Sequence, residues 1–355
     1  MMKEMKLLAT LKRRKAFTDN LSFEDACFLS WLSYFNYGDN VKTSFVPLKE
    51  MRKVPSSFFK DASFPSTAKK VFKKMGKSEQ FSSLAIGEYR NFLDPDWQYA
   101  SCLVKVSEGF YFFTVRGTDP SVSGWKENFL TGLREPIKAQ RYALENLKEL
   151  LQKYPDATFS LGGHSKGGSI LLYAYLALGE EEKKRIRNVF LLDSPALSFP
   201  MEESKEDKAK IIKRIPETSF FGMMFEEHPE EAQVVLCKAN YFLQHNVFLW
   251  ECDKEGKNIL LSERDQKSKW LSYAFNHWVN SIEKKDIVFF INTCFEKILR
   301  HSGLDNFFSL IHPIRIFRIY FSYRKLPRQD RTRVKKIAKG FLFYYREAKK
   351  IPNLS

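Results

Sequence analysis

Ser165 stands in the segment Gly163-His164-Ser165-Lys166-Gly167, which fits the pattern G-x-S-x-G. In that pattern the serine lies on a sharp turn between a strand and a helix, with its hydroxyl presented as a nucleophile. The strained backbone of such a turn has no space for side chains two residues away on either side, so only very small residues fit there. A glycine-rich turn without catalysis is the alternative. A phosphate-binding loop of the Gly-Lys-Ser/Thr type is excluded, because Lys166 precedes Gly167.

A serine hydroxyl is a poor nucleophile until a histidine removes its proton and an acid orients that histidine. In chains with this turn, the acid and then the histidine follow the serine. His245 is the first choice for the base, because it lies just after a predicted strand, where loops gather at the carboxyl edge of a parallel sheet. His228 is the second choice. The other histidines are His164 in the turn itself, His277 in a predicted helix, His301 and His312.

Asp193 is the preferred acid, because it ends the apolar run 189–192, which is typical of a central parallel strand. A cap of the turn that follows is the alternative role for this aspartate. Asp207 and Asp253 lie in charged, loop-like stretches and are weaker candidates.

Hydrolysis also requires hydrogen-bond donors for the oxyanion of the reaction. The backbone N–H of Lys166, directly after the serine, is one such donor in this kind of turn. The second donor should follow an earlier strand, and Thr118 comes just after the aromatic strand predicted at 109–116. The alternative is that residues 116–120 form only a turn.

Strands and helices alternate from about residue 80 onwards, which predicts an α/β fold with a mostly parallel sheet and right-handed crossovers. Ser22 is predicted to cap a helix over 23–34. Further helices are predicted at 137–154, 169–178, 208–215, 267–282 and 287–299. Strands are predicted at 100–106, 109–116, 187–193 and 232–238, with a hairpin formed by 247–252 and 258–261.

The net charge of +16 lies almost entirely at the two ends of the chain. Residues 312–355 contain thirteen Lys/Arg against two acids, and residues 1–15 contain six against one. The five cysteines are scattered and odd in number, which favours reduced thiols in the cytoplasm over a disulfide framework or a zinc site. The apolar stretch near the N-terminus is too short for a signal peptide, and no run is long enough for a membrane span. We therefore expect a soluble, cytoplasmic protein.

Two segments resemble class 3 (fungal-type) lipases. Thr114-Val-Arg-Gly-Thr-Asp119, followed by Gly124-Trp-Lys-Glu-Asn-Phe129, is similar to their strand and tryptophan motif. The chain more closely resembles an uncharacterised bacterial family of lipase-like α/β hydrolases, over roughly residues 20–300. The segments that carry this second resemblance are Leu21-Ser-Phe-Glu-Asp, Leu32-Ser-Tyr, Gln80-Phe, the Arg-Gly-Thr-Asp segment, the serine turn, Phe190-Leu-Leu-Asp-Ser-Pro195, Gly222-Met-Met and Gln244-His245.

The resemblance implies a nucleophile at Ser165, an oxyanion donor at Thr118, and functional roles for Asp193 and His245. The chain departs from the family in two places. It has Asp193-Ser-Pro-Ala in place of Asp-Gly-Pro-Gly, and His245-Asn-Val in place of His-Asp-Pro. If the acid were the residue after the histidine, Asn246 would have removed it.

These observations predict four parts of the chain. They are a mobile basic arm (1–20), a helical N-terminal layer of the hydrolase domain (21–79), an α/β-hydrolase-like core (80–300) and a basic helical C-terminal extension (301–355). The predicted function is cofactor-free and metal-free hydrolysis of small-molecule or lipid esters. The alternative is a non-catalytic protein of the same fold that binds a lipid or a protein partner at an anionic surface. The basic extension is either a set of solvated helix faces or a site for an anionic membrane surface, and no recognised motif supports nucleic-acid binding.

Overall fold

A computed structural model describes residues 5–12, 17, 20–42, 44–51, 54–59, 62, 64–94, 97–119, 121–300, 313–352 and 354. Within those ranges the chain forms a nine-stranded sheet whose strands lie in sequence order. The strands are β1 (Val46–Pro47), β2 (Ala85–Leu93), β3 (Gln98–Ser107), β4 (Phe110–Val115), β5 (Thr158–His164), β6 (Ile186–Leu192), β7 (Ile211–Pro216), β8 (Gln233–Val235) and β9 (Leu260–Leu261).

The sheet has the parallel centre that the sequence predicts, but antiparallel strands at both edges make it mixed. The five central strands, β4 to β8, are parallel. β1 to β4 pair antiparallel at one edge, and β9 pairs antiparallel with β8 at the other. The antiparallel edge arises because a two-residue turn is enough to join β3 to β4, whereas each parallel pair needs a longer crossover.

The helices include α1 to α13 and one π-helical segment, Thr293–Leu299. The α-helices are α1 (Lys6–Ala9), α2 (Phe23–Trp31), α3 (Pro65–Met75), α4 (Glu79–Ser82), α5 (Val122–Leu130), α6 (Lys138–Lys153), α7 (Lys166–Leu176), α8 (Glu180–Lys184), α9 (Lys205–Lys210), α10 (Gln266–Asn280), α11 (Lys284–Asn292), α12 (Pro313–Lys325) and α13 (Arg328–Ala348).

Helices cover both faces of the central strands, and the strand order explains how. Right-handed crossovers that always step in the same direction place their helices on one face of a sheet. On that face α6 and α7 pack against alternate residues of β4 and β5 in one apolar core. The other face needs a separate cover, and the N-terminal layer supplies it through α2, which packs against β4, β5 and β6 in a second core.

The N-terminal layer is held by well-formed local interactions. Ser22 caps α2 by accepting a hydrogen bond from the backbone N–H of Asp25, and the Asp25 carboxylate accepts one from the N–H of Ser22. This capping box confirms the predicted start of the helix. Gln80 donates to Asp25 from 3.3 Å, so two of the segments that carried the family resemblance contact each other.

Three local predictions differ from the structure. Within the predicted mobile arm 1–20, three leucines are buried in the core: Leu7 and Leu8 on α1, and Leu11 on the 3₁₀ helix Thr10–Lys12 that follows it. A helix is predicted at 208–215, but the helix α9 ends at Lys210, and the parallel strand β7 begins at Ile211. The predicted hairpin is reduced to a single bridge between Cys252 and Asn258, and β9 pairs instead with β8.

The C-terminal extension consists, in its described part, of α12 and α13. α13 packs against α10, and the indole Nε1 of Trp278 donates to the carbonyl of Ile337 over 2.7 Å. None of the described helices combines the length and apolar character that crossing a bilayer requires.

Candidate active site

Ser165 occupies the turn between β5 and α7 with a strained backbone, φ 58° and ψ −135°. A Cβ atom added to Gly163 would lie 2.5 Å from the backbone of Gly167 and Gly168. A Cβ on Gly167 would lie 2.2 Å from the carbonyl oxygen of Val115. Neither distance is attainable for real atoms, so the turn requires glycine at both places, as the sequence predicts.

Asp193 and His245 meet at the carboxyl edge of the sheet. Asp193 follows β6 with a positive φ of 44°, and its Oδ2 lies 2.6 Å from Nδ1 of His245. Its Oδ1 accepts from the hydroxyl of Ser219 over 2.5 Å and from the backbone N–H of Gly222 over 3.2 Å. The carboxylate side chain is only 1% exposed, so these three donors replace the water it has lost.

The imidazole of His245 lies between two other rings. Its centroid is 4.4 Å from that of His164 and 4.6 Å from that of Phe221. Because Nδ1 is hydrogen-bonded to Asp193, Nε2 is the ring nitrogen that is left to act as a base. Among the described residues there is no hydrogen bond between Ser165 Oγ and His245, and Ser165 is 8% exposed. Bonds of this kind are often long before substrate binds.

The loop that carries His245 is fixed by its neighbour Gln244. The Gln244 amide accepts from the N–H of Thr218 and donates to the carbonyls of Cys237 and Ala239. The backbone carbonyl of Gln244 accepts a hydrogen bond from the indole of Trp250 over 2.8 Å. Such complete pairing of a buried amide holds the loop in one conformation.

Asn246 has a local role beside this histidine. Its Oδ1 accepts from the N–H of Phe248 over 3.2 Å, and its Nδ2 donates to the hydroxyl of Thr67 over 3.2 Å. It therefore caps the 3₁₀ turn Val247–Leu249. The carboxylate partner of His245 is Asp193, so the asparagine after the histidine does not remove that partner.

His164 connects the serine turn to the backbone of His245. Its Nε2 lies 2.7 Å from the carbonyl oxygen of His245, and its Nδ1 lies 2.9 Å from the hydroxyl of Tyr34. A carbonyl can only accept, so Nε2 carries the proton and Tyr34 donates to Nδ1. Burial, and then the neighbouring imidazole of His245, lower the pKa of His164 well below its ordinary value. Burial raises the pKa of Tyr34, so both groups stay neutral at physiological pH.

The predicted oxyanion donors, Lys166 and Thr118, both interact with side chains of α5. Lys166 is the first residue of α7, so its backbone N–H has no partner inside the helix. Its ammonium forms a buried ion pair with Glu127, with 2.5 Å between Nζ and Oε2. The hydroxyl of Thr118 donates to Oδ1 of Asn128 over 2.7 Å. Because Glu127 and Asn128 are adjacent, one helix fixes the positions of both candidate donors relative to each other.

Gly117 lies where the loop after β4 closely approaches Tyr34 and the serine turn. A Cβ there would lie 2.4 Å from the hydroxyl of Tyr34, 2.6 Å from the carbonyl of His164 and 3.2 Å from Cβ of Ser165. The residue before Thr118 must therefore be glycine for β4 and its following loop to reach the serine turn.

The remaining candidates lie in other surroundings. His228 is exposed and pairs with Glu230 at 3.4 Å. His277 lies on α10 with its ring 3.7 Å from that of Tyr273. Asp253 accepts backbone hydrogen bonds within a turn. His301 and His312 lie outside the described residues.

Asp207 is buried beneath α7 and has structural partners. It accepts hydrogen bonds from Tyr175 over 2.7 Å and from Lys183 over 3.1 Å, and it caps α9 with Ser204. Burial disfavours its charged form, but the hydrogen bonds from Tyr175, Ser204 and Lys183 outweigh burial and lower its pKa to about 2.

Four residues of the site are absent from the sequence prediction: Tyr34, Glu127, Ser219 and Gly222. Tyr34 and Gly222 lie in segments that carried the family resemblance, which was the only available signal for them. Glu127 lies in the segment 124–129 that resembles class 3 lipases, and Ser219 lies in loop-like sequence; only the folded chain shows that they contact Lys166 and Asp193.

Comparisons with known proteins give a family. Among curated proteins, none matches the chain. The crystal structure of M37 lipase is similar at 14% identity and a TM-score of 0.33, over 57% of this chain and 69% of that one, a similarity too weak to support an argument. The Mbeg1-like family matches residues 75–296, which is more than half of the chain and includes Thr118, Ser165, Asp193 and His245. The protein therefore belongs to the Mbeg1-like family.

Proposed function

We propose that the protein is a serine hydrolase with an α/β-hydrolase-like fold that cleaves carboxylic esters through an acyl-serine intermediate. One observation supports this most strongly. It is the 2.6 Å hydrogen bond between Asp193 and His245, whose imidazole lies 4.4 Å from the ring of His164 in the strained strand-to-helix turn of Ser165. A buried carboxylate on Nδ1 fixes the imidazole tautomer whose Nε2 can accept a proton.

In the first step, Ser165 Oγ attacks the ester carbonyl carbon while His245 Nε2 takes the hydroxyl proton. The tetrahedral intermediate then expels the alcohol, which receives that proton from the imidazolium. Asp193 remains ionised throughout and stabilises the positive charge on the ring. Water repeats the sequence on the acyl-serine, which releases the carboxylic acid and restores the hydroxyl.

The negative charge on the intermediate oxygen is stabilised by the backbone N–H groups of Lys166 and Thr118. Donors held in place before the reaction cost no reorganisation when the charge develops. α5 supplies this rigidity, because Glu127 binds the Lys166 ammonium and Asn128 binds the Thr118 hydroxyl.

The substrate class follows from the side chains around the imidazole. Phe221 lies against the ring of His245, and Trp125 lies 5.6 Å from Phe221 between ring centroids. Both belong to an apolar cluster that includes Phe129 and Phe220. Surroundings of this kind favour esters with apolar acyl groups, including lipid esters, over charged substrates.

A fluorophosphonate probe, which reacts only with activated serines, tests the proposal on the folded protein. We expect rapid labelling of the wild type and none of Ser165→Ala. His245→Ala should slow labelling by at least about 100-fold, whereas the matched control His228→Ala should not change it. Equal losses in the two histidine variants would refute the choice of base.

The same experiment separates the alternative function, a non-catalytic protein that binds a lipid or a partner. Folded wild-type protein that is never labelled at neutral pH would support that alternative and refute hydrolysis.

A further inference from the structure

α12 has an exposed apolar face. Its large side chains Ile316, Phe317, Tyr320 and Phe321 are 55%, 62%, 54% and 46% exposed. They are spaced as i, i+1, i+4 and i+5, so they share one side of the helix. The ring of Phe321 contacts those of Phe317 and Tyr320 at 4.5 and 5.8 Å, which makes the face a continuous ridge. Exposure of four such neighbours marks a surface for another molecule.

Positive charge lies along one side of this ridge. Arg318 and Lys325 are exposed and, at 3.6 residues per turn, lie beside Phe321. Of residues 313–352, thirteen are Lys/Arg and two, Asp330 and Glu347, are acids. Both acids are already in ion pairs, with Lys297 at 3.2 Å and with Lys350 at 2.6 Å. Arg333 also pairs with Asp286 of α11, and the remaining bases leave residues 313–352 with a large net positive charge.

We propose that α12 docks the protein onto an anionic lipid bilayer. Ile316, Phe317, Tyr320 and Phe321 would enter the interface between headgroups and acyl chains, with the helix parallel to the membrane plane. The adjacent bases, Arg318 and Lys325 among them, would contact the lipid phosphates. An apolar helix face with lysine and arginine beside it is the combination that binds anionic interfaces.

The same observations disfavour two other occupants. A second copy of the chain would bring two strongly positive surfaces together, which repel. A nucleic acid would neutralise the bases, but it offers no apolar layer for the aliphatic side chain of Ile316. This docking is independent of the proposed hydrolysis, because the residues of the ridge are separate from Ser165, Asp193 and His245.

Vesicle co-sedimentation of the full-length protein tests the proposal. The probes are phosphatidylcholine vesicles with and without about 30 mol% phosphatidylserine. We expect wild-type binding to increase at least about 10-fold with the anionic lipid and to weaken as salt is raised. Phe317→Ser with Phe321→Ser should weaken binding roughly 30-fold through loss of apolar burial. Arg318→Gln with Lys325→Gln should weaken it roughly 10-fold, and only on anionic vesicles.

The matched control is Leu93→Ser with Leu260→Ser, which removes two exposed apolar side chains outside α12 and should leave binding unchanged. Ser165→Ala should bind vesicles as the wild type does, so failed hydrolysis and failed docking are distinguishable. Absence of wild-type binding, or binding that the α12 variants do not alter, would overturn the proposal. So would tight DNA binding without vesicle binding, or self-association in sedimentation without lipid that the phenylalanine variant abolishes.

Discussion

Replacement of Asp193 by asparagine reverses one hydrogen bond of the site and keeps the others. The asparagine Oδ1 can still accept from Ser219 and Gly222, as the aspartate does. Its Nδ2, however, would face Nδ1 of His245, where Oδ2 now lies at 2.6 Å. Two donors cannot share that contact, so the imidazole must place its proton on Nε2. An imidazole protonated on Nε2 cannot take a proton from Ser165.

The expected cost is a reduction of about 10⁴ in the rate of acylation, which is the effect of the same change in serine proteases. This corresponds to about 5.5 kcal/mol in the activation free energy. The assay is the second-order rate of fluorophosphonate labelling, with hydrolysis of a p-nitrophenyl ester as an independent measure. Urea unfolding must show that the variant is folded under the assay conditions.

Asp207→Asn is the matched control. Asp207 is also a buried aspartate with a tyrosine and a lysine as partners, but it lies beneath α7 and away from the imidazole of His245. We expect its labelling rate to stay within about 2-fold of the wild type, since transition-state stabilisation is unchanged. A reduction of less than about 10-fold in folded Asp193→Asn would refute the assignment of the acid.

Three further predictions concern stability and the departure after the histidine. Glu127→Gln leaves the buried Lys166 ammonium without its carboxylate and should lower the free energy of unfolding by about 3–5 kcal/mol. The exposed control Glu108→Gln should lower it by less than about 1 kcal/mol. Equal losses in urea unfolding would contradict the role of burial. Asn246→Asp should keep the rate of fluorophosphonate labelling within about 2-fold of the wild-type rate, because the imidazole of His245 already has a carboxylate partner. A large gain in that rate would show that Asp193 is an inadequate partner. Asp207→Asn should lower the free energy of unfolding, and the loss should have its full size above the unfolded pKa of about 3.9. That loss should disappear as pH falls through the folded pKa of about 2. A penalty that is equal at both ends of this range in urea unfolding would contradict the lowered pKa.

Much of the fold follows from local sequence signals. The capping serine of α2, the one-sided apolar pattern of α6 and the glycines of the serine turn each specify their element through neighbours in the chain. β7 was predicted as helix, because Ile211-Ile-Lys-Arg-Ile215 acquires its strand conformation only by pairing with β6. β9 lies within the strand predicted at 258–261, but its partner was not predicted, since β8 is 25 residues away in the pairing of Val235 with Leu260.

The candidate site likewise contains residues that the sequence predicts and residues that only the folded chain brings together. Ser165 and Asp193 are predictable because each directly follows a strand, and strand order brings such positions to one edge. His245 lies farther along, in the 3₁₀ turn Tyr241–His245 of the loop after β8. Tyr34 and Glu127 are not predictable from spacing, because they reach the serine turn from the 3₁₀ helix Leu32–Tyr34 and from α5, far away in the chain. The chain belongs to the Mbeg1-like family. The bacterial origin and class 3 likeness suggested by its segments, the cytoplasmic location and the domain boundaries remain predictions.

The most direct test of the proposed mechanism is a crystal structure of the protein after reaction with a fluorophosphonate. We predict a covalent bond between phosphorus and Ser165 Oγ, with His245 Nε2 about 3 Å from that oxygen. The phosphonyl oxygen should accept hydrogen bonds from the backbone N–H groups of Lys166 and Thr118 at about 2.7–3.1 Å. A phosphorus atom bound to any other residue, or an imidazole turned away from Ser165 Oγ, would contradict the account.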